Sequence, residues 1–236
     1  MDHADADLPQ RPRHNLLANL GFNIILPTLV LIQLSQDDRL GPVWALVVAL
    51  AFPLCFGLRD LVKIRRANLF SVLGVVSVLL TGGMGLLRLD PEYIAIKEAA
   101  VPALLGLATL LSLRSRYPLV RTFLYNDQVL QVQRVDAALR ARHNERAFER
   151  RLTVASWLVA GSFFLSAVLN YVLARMILVS PPGSSEFTAE LGKMTALSFP
   201  VIALPSMVVL MGALFYLLRG IQTLTDLALD DIFHEA

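Results

Sequence analysis

Cysteine is almost missing from this chain. Cys55 stands alone inside an apolar run, so no intramolecular disulfide can form and a buried structural thiol is expected. Histidine is scarce as well: His3, His14, His143 and His234 all fall outside the apolar runs with no ligand spacing among them, which argues against a zinc site. A Walker glycine loop and an HExxH pair are both absent, and no serine or cysteine in an apolar run has a histidine base within reach. These gaps argue against an enzyme and against any cofactor. Excess charge is missing too. A formal net charge of +2 does not suit a nucleic-acid binder. Nothing alternates with the period of a barrel strand.

What the chain has is hydrophobic length. Apolar residues make up 56% of it, with a mean hydropathy of +0.59, well above soluble domains. Its 236 residues suffice for one bundle without a separate large domain. A bilayer core of about 30 Å needs roughly 20 helical residues. Runs of that order are Leu16–Ser35, Gly41–Leu58, Leu69–Leu87, Ile94–Leu113, Leu152–Leu178 and Met194–Leu218. The sequence therefore predicts an all-α, polytopic membrane protein, a bundle of six transmembrane helices with a cytoplasmic amphipathic helix. Its layout is a tail over 1–14, helices one to four over 15–113, a basic loop over 114–151, helices five and six over 152–218, and an acidic tail over 219–236.

Arginine sets the orientation. With the N-terminus in the cytoplasm and six spans, only Arg39, Arg88, Lys97, Arg175 and Lys193 of the 21 basic residues fall outside, and the other 16 fall inside. Five spans would destroy that asymmetry, so both termini are predicted to be cytoplasmic. Arg11 and Arg13 before the first run imitate a signal peptide, but the run is long and lacks a small-x-small cleavage pattern, so it reads as a retained span.

Two segments on the basic side are periodic. Asp127–Arg150 reads as one amphipathic helix, with Val132, Val135 and Leu139 on one face and Arg134, Arg142, Arg146 and Arg150 around it. Such a helix suits the anionic inner leaflet, and equally suits a solvated connector whose arginines enforce topology. In the tail Leu224, Leu227 and Ile232 alternate with Asp226, Asp230 and Asp231. Opposite charge is expected to bring tail and loop helix together.

Polar residues inside a span face the bundle or a cavity. Asn15, Asn19 and Asn23 recur every four residues and stack on one face that Pro27 continues. They read as a polar lining or as interhelical hydrogen bonding. On the outer side Asp90, Glu92, Lys97 and Glu98, with Arg175 and Lys193 from two other spans, are expected to form one cluster or to anchor at headgroups; Asn170 adds a polar handle near Arg175. The glycines Gly74, Gly82, Gly83 and Gly85 suggest close helix packing, and Pro200 and Pro205 a bend in the last span.

The stretch Asp90-Pro91-Glu92-Tyr93-Ile94-Ala95-Ile96-Lys97, an apolar span, and Tyr117-Pro118-Leu119-Val120-Arg121 resemble the bacterial inner-membrane septation protein A family. Trp157, Leu169-Asn170-Tyr171 and Lys193 fit the same layout, so the resemblance covers about Arg65–Leu218. The Arg-rich loop and the acidic tail depart from it, as in a divergent relative. The resemblance implies an inner-membrane protein of envelope maintenance and septum formation without established enzymatic chemistry. Its matched polar residues are Glu92, Lys97, Arg121, Asn170 and Lys193. Membrane lipids and envelope or division proteins are the partners it implies. The alternative is a small transporter or lipid-handling protein with a polar cavity at Asn19, Asn23, Glu92, Lys97, Asn170, Arg175 and Lys193.

Overall fold

Backbone groups deprived of water must pair within their own segment, and this chain pairs them in helices. The computed structural model describes residues 21–64, 69–115, 118–125 and 130–233. Among the described residues the only extended pairing is an isolated bridge between Leu130 and Phe233. The helices are α1 (Leu26–Leu34, led by a π turn Gly21–Ile25), α2 (Gly41–Ile64), α3 (Leu69–Leu86), α4 (Pro91–Ser112), α5 (Leu119–Leu124), α6 (Val132–Ala141), α7 (Glu145–Ile177), α8 (Ser185–Ser198), α9 (Leu204–Thr225, led by a π turn Phe199–Ala203) and α10 (Leu229–Ile232).

Among the described residues three helical runs are long and apolar enough to cross a bilayer: Pro91–Ser112, Glu145–Ile177 and Ser185–Thr225. In their most apolar stretches only 22%, 39% and 17% of residues are buried, so most of that apolar surface needs a lipid environment rather than water. Gly41–Cys55 is a shorter apolar segment of α2, and Cys55, expected to be a buried thiol, is exposed on it.

The chain divides into two compact units, Met1–Arg88 with Ser180–Ala196, and Leu89–Val179 with Leu197–Ala236. In the first, α1 packs on α2 and α2 on α3. Gly82 and Gly85 let α3 approach Leu50 and Leu46 of α2 closely, the packing role their spacing suggested. Gly192 of α8 seats against Leu31, Ile32 and the Thr28 carbonyl of α1. In the second unit α4 packs along α7, and α7 along α9. Glu92 near the start of α4 meets Arg175 near the end of α7, and Gly106 late in α4 meets Phe164 and the Ala160 carbonyl, so the two run antiparallel. Ser162 meets Ser206, and Arg151 meets Tyr216 and Gly220, so α9 is antiparallel to α7 as well.

Three boundaries differ from the sequence expectation. The fourth run begins at Pro91 rather than Ile94, because Asp90 caps it: its carboxylate accepts the Glu92 N–H at 2.8 Å, with Pro91 in the first turn. The connection expected over Val179–Lys193 stops at Ser184. The Ser184 hydroxyl accepts the Phe187 N–H at 3.0 Å, Glu190 accepts the Ser180 N–H and hydroxyl, and Ser185–Lys193 is helical. The single amphipathic helix expected over Asp127–Arg150 is two helices, and Asp127 itself lies outside the described residues. α6 stops at Ala141, His143 adopts a left-handed φ of 53°, and its N–H donates to the Arg140 carbonyl while the Asn144 N–H reaches back to Leu139. This is a Schellman stop made without glycine. Glu145–Arg150 thus open α7, whose 33 residues extend about 50 Å, beyond the hydrocarbon thickness.

A methyl group at Gly192 would lie 2.9 Å from the Leu31 Cβ, whereas one at Gly161 would meet nothing within 4 Å. Gly192→Ala is expected to cost about 1–3 kcal/mol and lower the melting temperature in detergent, and Gly161→Ala to leave it equal or higher. Equal losses at both positions would contradict the α1–α8 contact.

Candidate functional site

A buried core of the second unit gathers where α7 begins and α9 ends. There Val120 of α5, Tyr125, Leu130, Val135 and Leu139 of α6, and Ile232 of α10 close over Phe148 and Leu152 of α7 and Leu217 and Ile221 of α9, all at most 5% exposed. Tyr125 lies against Phe148 with ring centroids 4.9 Å apart, and its hydroxyl donates to Asp136 at 2.7 Å. The apolar face of α6 is therefore a core face, already covered by protein, and does not insert into lipid. Its arginines lie outside that face.

The acidic tail forms one wall of this cap. Asp226, left-handed at φ 56°, ends α9 and pairs with Arg142 at 2.6 Å, next to the left-handed His143 that follows α6. Asn144 donates to the Leu224 carbonyl at 2.8 Å. Arg134 pairs with Asp231 at 2.8 Å. Gln131 donates its backbone N–H to the Ile232 carbonyl and its side-chain amide to the Phe233 carbonyl, both at 2.8 Å. The expected contact of basic helix and acidic tail is present, and it has an apolar centre as well as charged edges. Val120, Tyr125 and Phe148 escaped the sequence reading because their partners are dispersed along the chain.

Arginines ring the same end. Arg151 lies over the Tyr216 ring at 5.2 Å and Arg219 over Phe215 at 5.5 Å. Arg121 pairs with Glu149 at 2.9 Å. Arg146 and Arg150, expected on the loop helix, instead stand exposed on the first turns of α7.

The residues expected to line a cavity sit as follows. Asn15 and Asn19 lie outside the described residues, and Asn23 belongs to the π turn before α1. Glu92 and Arg175 approach to 4.0 Å, both about half exposed, an interfacial pair of small energetic weight. Lys97 is 9% exposed and pairs at 2.6 Å with Glu98 beside it. Asn170 donates to the Ser166 carbonyl at 2.8 Å, within its own helix. Lys193 is exposed on α8 and belongs to the first unit; Glu92, Lys97 and Arg175 belong to the second.

One local design recurs. Each π turn is followed by Leu-Pro and a hydroxyl residue: Leu26-Pro27-Thr28 and Leu204-Pro205-Ser206. The wide turn accommodates the proline, whose missing N–H interrupts the ladder. In the second copy the Leu204 N–H reaches five residues back to Phe199. Thr28 Oγ1 and Ser206 Oγ are the buried side-chain polar atoms without a partner among the described residues. The Ser206 carbonyl accepts the Ser162 hydroxyl at 2.8 Å, which ties the first turn of α9 to α7.

No protein-family model, no curated protein and no solved structure matches this chain.

Magnitudes rank the forces that hold the cap. The two tail ion pairs have side chains 40–67% exposed and contribute about 0–1 kcal/mol each. Ile232 is fully buried, and truncating such a residue to alanine costs about 2–5 kcal/mol. Ile232→Ala is therefore expected to speed tryptic cleavage after Arg140 and Arg142 more than the double change Asp226→Asn with Asp231→Asn. Faster cleavage of the double variant would mean that charge, not burial, holds the tail.

Proposed function

We propose that this chain is a non-enzymatic protein of the bacterial cytoplasmic membrane, with six spans and both termini in the cytoplasm. In this reading it acts on the cell envelope and septation through protein partners or lipids. The observation that carries it is the cap: a buried core where α7 begins and α9 ends, with arginines gathered around it. A basic end of this kind is what the positive-inside rule retains in the cytoplasm. The α1–α3 runs supply the remaining spans in this reading, and the even number leaves the tail on the same side as the N-terminus. The stretch from Asp90 to Arg121 that resembles septation protein A contributes Glu92 to the opposite end and Val120 and Arg121 to the cap region.

The polar side chains of the spans support an interaction role over a solute pathway. Asn170, Thr109 and Thr195 donate to carbonyls one turn earlier in their own helices, and Lys97 is paired. The transporter or lipid-handling reading keeps one supporting observation, the two unpartnered hydroxyls at the Leu-Pro bends.

Complementation of a host strain lacking the protein separates the two. Asn23→Ala and Lys97→Ala are expected to restore normal envelope and division, and Leu139→Asp, compared at equal membrane level, to fail. Loss of complementation in Asn23→Ala and Lys97→Ala with a working cap variant would assign the function to a solute path.

A further inference from the structure

One face of α7 is organised along its whole length. At 100° per residue, Arg146, Arg150, Thr153, Trp157, Val168 and Arg175 fall within a sixth of a turn or so of one another. Arg146 and Arg150 are exposed, Trp157 is 58% exposed and Val168 59%. Its Arg146–Trp157 part is exposed, and farther along Phe164 and Arg175 of the same stripe meet Gly106 and Glu92 of α4; Phe148, Leu152, Ala155 and Val159, which meet the core, lie on the other side.

The ladder has the spacing of a bilayer's hydrocarbon core. Trp157 to Arg175 is 18 residues, about 27 Å, close to the hydrocarbon thickness. Trp157 then sits at the boundary where indole rings collect. Arg150 lies about 10 Å further out, at headgroup depth, and Arg146 one turn beyond it. The other α7 arginines are committed, Arg151 to the Tyr216 ring and Arg175 to Glu92. Arg134, Arg142 and Arg121 are committed to Asp231, Asp226 and Glu149. Arg146 and Arg150 have no acidic or aromatic partner among the described residues. Of the carboxylates nearest in sequence, Glu149 is taken by Arg121, and Glu145 lies more than a quarter turn from Arg146.

We propose that Arg146 and Arg150, above Trp157, bind the phosphate of an anionic phospholipid. The guanidinium groups take the headgroup, and the acyl chain lies along Trp157 and Val168. Guanidinium forks match phosphate oxygens in pairs, which a neutral-headgroup lipid rewards less because its own cation competes. The proposal rests on the membrane reading of α7, and names the lipid class for it.

The test uses the full chain in bilayer nanodiscs. Trp44→Phe leaves Trp157 as the sole tryptophan, since the chain has 2. Its fluorescence is quenched in turn by a brominated anionic phosphatidylglycerol and by a brominated phosphatidylcholine. The anionic lipid is expected to quench at least about threefold more per molecule, given about fivefold enrichment for each basic residue near a membrane surface. Adding Arg146→Gln and Arg150→Gln should bring the ratio to unity. A ratio of unity in the parent, or the same excess in the glutamine variant, overturns the site. Loss of the excess on adding inorganic phosphate assigns a free-anion site and also overturns it. Absence of quenching by either lipid is a different failure, since it removes α7 from the lipid boundary and with it the membrane reading beneath.

Discussion

A guanidinium group is costly in hydrocarbon, and that cost organises the second unit into an apolar middle and two unlike ends. Between Leu152 and Ile177 α7 carries one charged residue, Arg175, close to its end, where it meets Glu92 at the start of α4. At the other end arginines stack on Tyr216 and Phe215 or pair with Glu149, Asp226 and Asp231. The antiparallel course of α4, α7 and α9 follows from the same constraint, because each apolar run can turn back only where polar groups can be solvated.

The cap follows from it in turn. A helix of 33 residues outruns the hydrocarbon, so its first turns carry Phe148 and Leu152 into a setting where a water-driven core can form. That core forms from α5, α6 and the tail, with left-handed His143 and Asp226 ending the helices that enter it. Burial holds the cap together, and the ion pairs at its rim fix which tail residue faces which arginine. The two kinds of force act in different places: lipid exposure along the spans, and exclusion of water at their end.

Much of this was legible in the sequence because hydrophobic length and charge asymmetry are local properties. The three long spans, the glycine contacts of α3 and the meeting of tail and loop helix could all be read from spacing. The break at His143 could not, since the left-handed stop uses a histidine where glycine is the usual signal. The start of α8 at Ser185 was hidden in a turn-rich stretch, where one hydroxyl, that of Ser184, caps the helix. The π turns depend on how Leu-Pro and a hydroxyl pack, as the Ser162–Ser206 contact shows, and packing is not a property of spacing.

The central claim is that the arginine-capped end and both termini share the inner face of a membrane. Single cysteines at Glu145, at Glu186 and at either terminus, each in a Cys55→Ser background, can be probed on intact cells with a maleimide that does not cross membranes. The account predicts labelling at Glu186→Cys from outside, and labelling at Glu145→Cys and both termini only after lysis. Labelling of Glu145→Cys in intact cells, or of one terminus and not the other, would contradict it.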